Sequence, residues 1–160
     1  MNASDVLKYG HGTVLRAVEG LPESAWSTAG VCGVWSVKDI IAHLASYEHV
    51  LVDVLTTILG GSGSTLYLSK FIEPGGQFND SEVDKRKDRT IAEVLAEYNE
   101  AHTRTMALIA QIPPETLRQA GTLPWYGAEY SVDDLIVYQY YGHKREHCAQ
   151  IAVFRDKLKG

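Results

Sequence analysis

The sequence predicts an all-α chain, folded as one antiparallel four-helix bundle with a long loop between its second and third helices. Apolar residues recur at spacings of three and four in four long segments, and no segment keeps a strand's period of two. Each segment is also bounded by residues that cap helix starts or by glycine and proline that end them. The 160 residues, 45% of them hydrophobic, suffice for one core and are short for two, so residues 1–160 read as a single domain. Amphipathic helices without strands bury their apolar stripes against one another.

The first helix spans about Ser4 to Glu19, with Val6, Leu7, Gly10, Val14 and Val18 along one face, and "GLP" ends it. The second lies in "WSVKDIIAHLASYEHVLVDVLTTILGG". Ser36 can cap it, Asp39 favours the positive end of its dipole, and Gly60 and Gly61 stop it. From Gly61 to Arg89 the chain is rich in Gly, Ser and charge, contains Pro74 and shows no sustained period. It reads as a loop, and loops of that length are usually functional or mobile. Its "DKRKDR" run mixes both signs and reads as a solvated loop or helix start. "TIAEVLAEYNEAHTRTMALIAQIPP" is the third helix, with Thr90 and Glu93 as a capping box, Pro113 as its limit, and a stripe of Ile91, Leu95, Tyr98, His102, Thr105 and Ile109. A connector with room for one helical turn follows. Ser131 then caps a last helix that runs to about Lys157.

Several function classes are excluded at this level. A net charge of −5 with no basic face argues against nucleic-acid binding. The best apolar run, "VLVDVLTTIL", is too short to span a bilayer and carries Asp53. The N-terminus lacks a basic region followed by an apolar one, so a soluble, cytoplasmic protein is expected. Cys32 and Cys148 form no CxxC pair and read as reduced thiols.

The chemistry concentrates in histidines. On the last helix the inward stripe reads Leu135, Gln139, His143, Glu146 or His147, Gln150 and Phe154, polar in its middle where a plain core is apolar. On the second helix His43 lies at or beside the stripe of Ile40, Leu44, Tyr47, Leu51 and Leu55. Imidazoles at i and i+4 share one side of a helix, roughly 6 Å apart, so His143 and His147 can converge on one cation, with His43 as the third ligand. Three neutral nitrogens suit Zn²⁺, Ni²⁺, Fe²⁺ or Mn²⁺ and leave positions open for water or substrate. The competing reading is a set of hydrogen-bonded core histidines.

"WSVKDIIAHLASYEH", "FNDSEVDKRKDRTIAEVLAEY" and "YSVDDLIVYQYYGHKREHCAQI" together resemble the DinB/YfiT-like superfamily, in order and spacing over almost the whole chain. The resemblance implies a four-helix bundle whose divalent metal is held by one histidine of the second helix and two of the last, here His43, His143 and His147. It also implies thiol-dependent transfer or isomerisation with bacillithiol, mycothiol or glutathione, or hydrolysis of an electrophilic small molecule.

Beside that centre, Gln139 would face the cavity and hydrogen-bond a water or substrate, or serve only as a polar residue at the bundle's open end. Tyr47 would orient substrate or donate a proton, with a satisfied core aromatic as the favoured alternative. His102 reads as a core histidine, with a fourth ligand or a base behind the ligands as alternatives. Glu146 reads as solvent-paired and Cys148 as a small core residue. His11 and His49 have no partner at metal spacing. Trp35, Trp125 and Tyr126 either staple helix starts or form an aromatic rim.

The leading function is a metal-dependent enzyme in which the ion activates a thiol for S-transfer or a water for hydrolysis. The alternative is a non-catalytic protein that binds a metal or small molecule in stress or self-protection. A homodimer is expected, with a small-molecule substrate and no macromolecular or membrane partner.

Overall fold

Helix α1 (Ala3–Val18) starts where the Asn2 side chain accepts a hydrogen bond from the Asp5 amide. The short α2 (Glu23–Trp26) leads to α3 (Val37–Ile58), which opens with a full capping box between Ser36 and Asp39. Gly60, at φ 73°, ends it in a conformation that only glycine adopts cheaply. Helix α6 (Ile91–Ile109) opens with the same device, Thr90 and Glu93. Ser131 and Asp134 repeat it at the start of α8 (Val132–Leu135). That last rod continues through a π-helical segment, Ile136–Gly142, into α9 (His143–Lys159). The computed structural model describes residues 1–160, contains no strand, and has no helix long and apolar enough to cross a membrane.

Side-chain partners give the helix directions. Lys38, early in α3, reaches the carbonyl of Lys87 just before α6, Thr105 meets Glu48, and Leu55 shares a cluster with Ile109. The positions rise together, so α3 and α6 run parallel. Arg155 near the C-terminus donates to the carbonyls of Ala17 and Glu19, and Leu7 packs with Leu135 and Ile136, so α1 and the last rod are also parallel. Each pair is antiparallel to the other: His43 meets His147, and Tyr140 meets Tyr47.

A parallel neighbour requires the chain to return along α3, about 33 Å for its 22 residues. The segment expected to be a plain loop is that return, and it is partly helical: α4 (Leu66–Phe71) and α5 (Phe78–Asp84). Helices of six and seven residues are too short to display a period, which is why the sequence hides them. Leu68, Phe78 and Val83 anchor this crossover in the core. Arg86 of "DKRKDR" is not solvated but 2% exposed. Its guanidinium donates to both Glu97 oxygens and to Glu82, and His49 and Arg89 complete the clasp on Glu97. A short α7 (Pro114–Arg118) supplies the helical turn foreseen in the later connector.

The apolar core falls into two clusters. One holds Ala3, Leu7, Leu51, Leu55, Ile109 and Leu135, and the other Val14, Val18, Ile40, Leu44, Val94 and Ile151. Between them, at mid-height of the rods, lie the buried polar residues His43, Glu48, His102, Lys144 and His147. The polar middle read from the stripes of α3 and the last helix is this layer.

Candidate metal centre

His43 from α3 and His143 and His147 from α9 bring one ring nitrogen each to within 4.8 Å of one another. The Nε2 atoms of His43 and His143 are 3.0 Å apart, and those of His143 and His147 are 2.9 Å apart. His43 and His147 are 2% and 5% exposed, whereas His143 is half-buried and marks the open side.

All three imidazoles are held neutral. Burial and the two facing imidazoles push His43 down to about 2, burial and His147 push His143 down to about 4, and burial lowers His147. The Nδ1 of His147 donates to Oε1 of Gln150 at 2.8 Å, which fixes its tautomer and leaves the Nε2 lone pair pointing at the other two rings. Shared protons cannot satisfy three mutually facing Nε2 atoms when His147 presents a lone pair. A cation among them satisfies all three, so the donor set fits a divalent ion that accepts nitrogen ligands.

The π segment explains how the last rod presents both this cluster and a packed core. Its turns close by i to i+5 bonds, so residues spaced by four stay in line, and Ile136, Tyr140 and Lys144 are all buried. The expected inward stripe is therefore corrected by the burial of Lys144, and of its two alternatives, Glu146 and His147, His147 is the buried one. Gln139 is half-buried beside the Tyr126 hydroxyl, Glu146 is exposed, and Lys144 occupies the interior. Tyr140 donates to the Tyr47 carbonyl at 2.8 Å, tying the π segment to α3 one turn from His43. Gly10 of α1 permits close approach from the other side, since a Cβ there would sit 3.1 Å from the Tyr140 carbonyl oxygen.

Tyr47 stands against the cluster, its ring 4.6 Å from that of His43 and 4.7 Å from that of His143. Burial raises its phenol above the ordinary value, so it remains protonated at neutral pH. On its other side Tyr47 closes a cavity of ≈ 380 Å³ under α4 and α5, with Phe71 and Phe78 as further walls. Trp35 packs on His43, while Trp125 and Tyr126 reach Tyr47 only through Phe71. The three aromatics thus bracket the site from two directions instead of meeting in one rim.

His102 does not join the cluster. It stacks on His11, with ring centroids 3.8 Å apart, between α1 and α6 and near Glu48. No spacing in the chain announces that pairing, nor the fully buried ion pair between Lys144 and Glu48, which also accepts from Thr105. A lysine and a glutamate on different helices carry no mutual spacing signal. Cys148 is half-buried and Cys32 lies beside Trp35; both are free.

Residues 7–151 match the family model of the DinB superfamily. A crystal structure of a Streptococcus pneumoniae protein, solved in structural genomics, superposes with a TM-score of 0.71 at 12% identity, covering 96% of this chain and 88% of that one. Comparison with curated proteins gives no match. The family match extends from α1 through the two ligand-bearing helices to Ile151, and on that ground the chain belongs to the DinB superfamily.

Proposed function

We propose that this protein is a divalent-metal-dependent enzyme acting on an electrophilic small molecule at His43, His143 and His147. The observation that carries this reading is the convergence of three neutral Nε2 atoms, two of them on buried histidines and one with its tautomer set by Gln150. A divalent ion there supplies Lewis acidity, which lowers the pKa of a coordinated water or thiol. His143, on the open side, is where substrate approaches. Tyr47, protonated and next to His43 and His143, donates a hydrogen bond or a proton to the leaving atom. Trp35 and the aromatics around Phe71 keep water from the far side of the cluster. S-transfer and hydrolysis share this machinery and differ in the nucleophile.

The test is elemental mass spectrometry of protein purified without added metal, beside a His43→Ala/His143→Ala/His147→Ala variant, followed by assays of electrophiles with and without added thiol. About one divalent ion per wild-type chain and none in the variant is the expected result. A wild type that stays empty when offered Zn²⁺, Ni²⁺ and Mn²⁺ ends the reading. Turnover only with thiol assigns transferase chemistry, and turnover without it assigns hydrolase chemistry.

A further inference from the structure

The cavity beneath the crossover is lined by Tyr47, Phe71 and Phe78, by Gln77 and Asn79, and by Glu73 and Asp80 at its mouth. No lysine, arginine or histidine lines it. The nearby cations lie outside that lining: Lys85 pairs with Glu82, and Lys70 and Lys85 line the adjoining cavity, where Lys70 is near Glu73. The turn between α4 and α5 that shapes the mouth is tightly built. Gly75 has φ 70°, and a Cβ on Gly76 would lie 3.0 Å from the Glu73 carbonyl oxygen. Tyr47 is the shared wall, with one side of its ring facing Phe71 and Phe78 and the other His43 and His143. Phe71 and Phe78 meet edge to face, with ring centroids 5.4 Å apart, so a molecule in the cavity lies against this aromatic wall and ends at the residue that borders the metal centre.

We infer that this cavity receives the body of the substrate of the three-histidine site, and that it selects a flat apolar or aromatic molecule that is neutral or cationic over an anionic one. The inference rests on the metal-centre reading for what happens to the bound molecule, but the selection itself does not require the metal. Aromatic faces attract a cation and accept a flat ring by stacking. Two carboxylates at the entrance, with the neighbouring Lys70 and Lys87 in contact with solvent and outside the lining, disfavour an anion there. Glutathione, with two carboxylates of its own, is a poor fit to this mouth, whereas an electrophile attached to an aromatic amine is a good one.

The test compares benzylamine, benzyl alcohol and benzoate, three probes of similar size, by titration into metal-free protein monitored through the NMR ring signals of Tyr47, Phe71 and Phe78. Benzylamine is expected to bind about tenfold more tightly than benzoate, with the alcohol between them. In Glu73→Gln/Asp80→Asn, whose thermal midpoint should match wild type because both side chains are exposed, the ratio should fall within about threefold. Equal or tighter benzoate binding to wild type, an unchanged ratio in the double variant, or probes that leave all three rings unshifted each overturn the inference. The titrations are made without metal, so an empty metal site would sink the enzymatic reading and leave this result standing. A bound metal with no charge preference would do the reverse.

Discussion

Lys144→Met is the perturbation whose cost follows most directly from the structure. Lys144 and Glu48 are 1% and 0% exposed and pair in the polar layer between two apolar clusters. Burial works against the Glu48 charge, and the Lys144 ammonium more than offsets it, holding the carboxyl below its ordinary value. With a methionine in place of the ammonium, Glu48 keeps only the Thr105 hydroxyl at 3.2 Å. A buried charge stripped of its partner costs about 3–5 kcal/mol. The variant should therefore lose that much at pH 7, measured by urea unfolding in the presence of a chelator so that metal binding does not contribute. Part of the loss should be recovered near pH 5, because the stranded carboxyl, now with a raised pKa, escapes by taking up a proton. Replacing both partners, Glu48→Leu/Lys144→Met, should lie within about 1–2 kcal/mol of wild type, because the two desolvation costs disappear together. A loss below about 1 kcal/mol in the single variant, or a double variant as unstable as the single one, would refute this account of the layer.

Three further outcomes are expected. Gln150→Leu frees the His147 tautomer and should weaken Zn²⁺ binding about 10- to 100-fold in a competitive chelator titration, with a thermal midpoint near wild type; a change under about threefold contradicts the assigned role. Tyr47→Phe keeps the ring against His43 and His143 but removes the proton donor, so metal content should hold while kcat falls by about 100-fold, and an unaltered kcat would return Tyr47 to packing alone. Acid should destabilise the metal-free protein in two stages. His143 sits at about 4 against 6.5, so the unfolded chain gains protons first as pH falls from 6.5 to 4. Although burial opposes its charge, Glu97 is held at about 2 against 4.5 by His49 and Arg86, so its contribution, at most about 3 kcal/mol, is complete above pH 4.5 and is lost as pH falls toward 2. Flat unfolding free energy between pH 7 and pH 4 would contradict the His143 assignment, and a flat profile between pH 4.5 and pH 2 that of Glu97.

The same pairs show where sequence reading succeeds and where it stops. Ser36 with Asp39, Thr90 with Glu93 and Ser131 all cap as expected, because a capping box is a local interaction complete within four residues. His143 and His147 share a face because four residues make about one helical turn, whatever surrounds them. Lys144 was missed as an interior residue because a π segment differs from an α-helix by the carbonyl its amides choose, a choice governed by packing against Gly10 and Tyr47 and without a composition of its own. Arg86 looked solvated because charge runs usually are, and nothing within the run reports that Glu97 waits on another helix.

By itself the sequence determined the four long amphipathic segments, their caps, the polar interruption in the middle of two of them, and the residues able to hold a divalent ion. Those properties depend on periods and contacts spanning one or two helical turns, which the order of residues states directly. Only the tertiary structure decided that α3 and α6 run parallel, that the connection between them is a partly helical lid over Tyr47, that His11 answers His102, and that Lys144 answers Glu48. Each of these joins residues far apart in the chain, and their meeting is set by how whole helices share one core and dispose of its buried charge, a condition that no local pattern encodes.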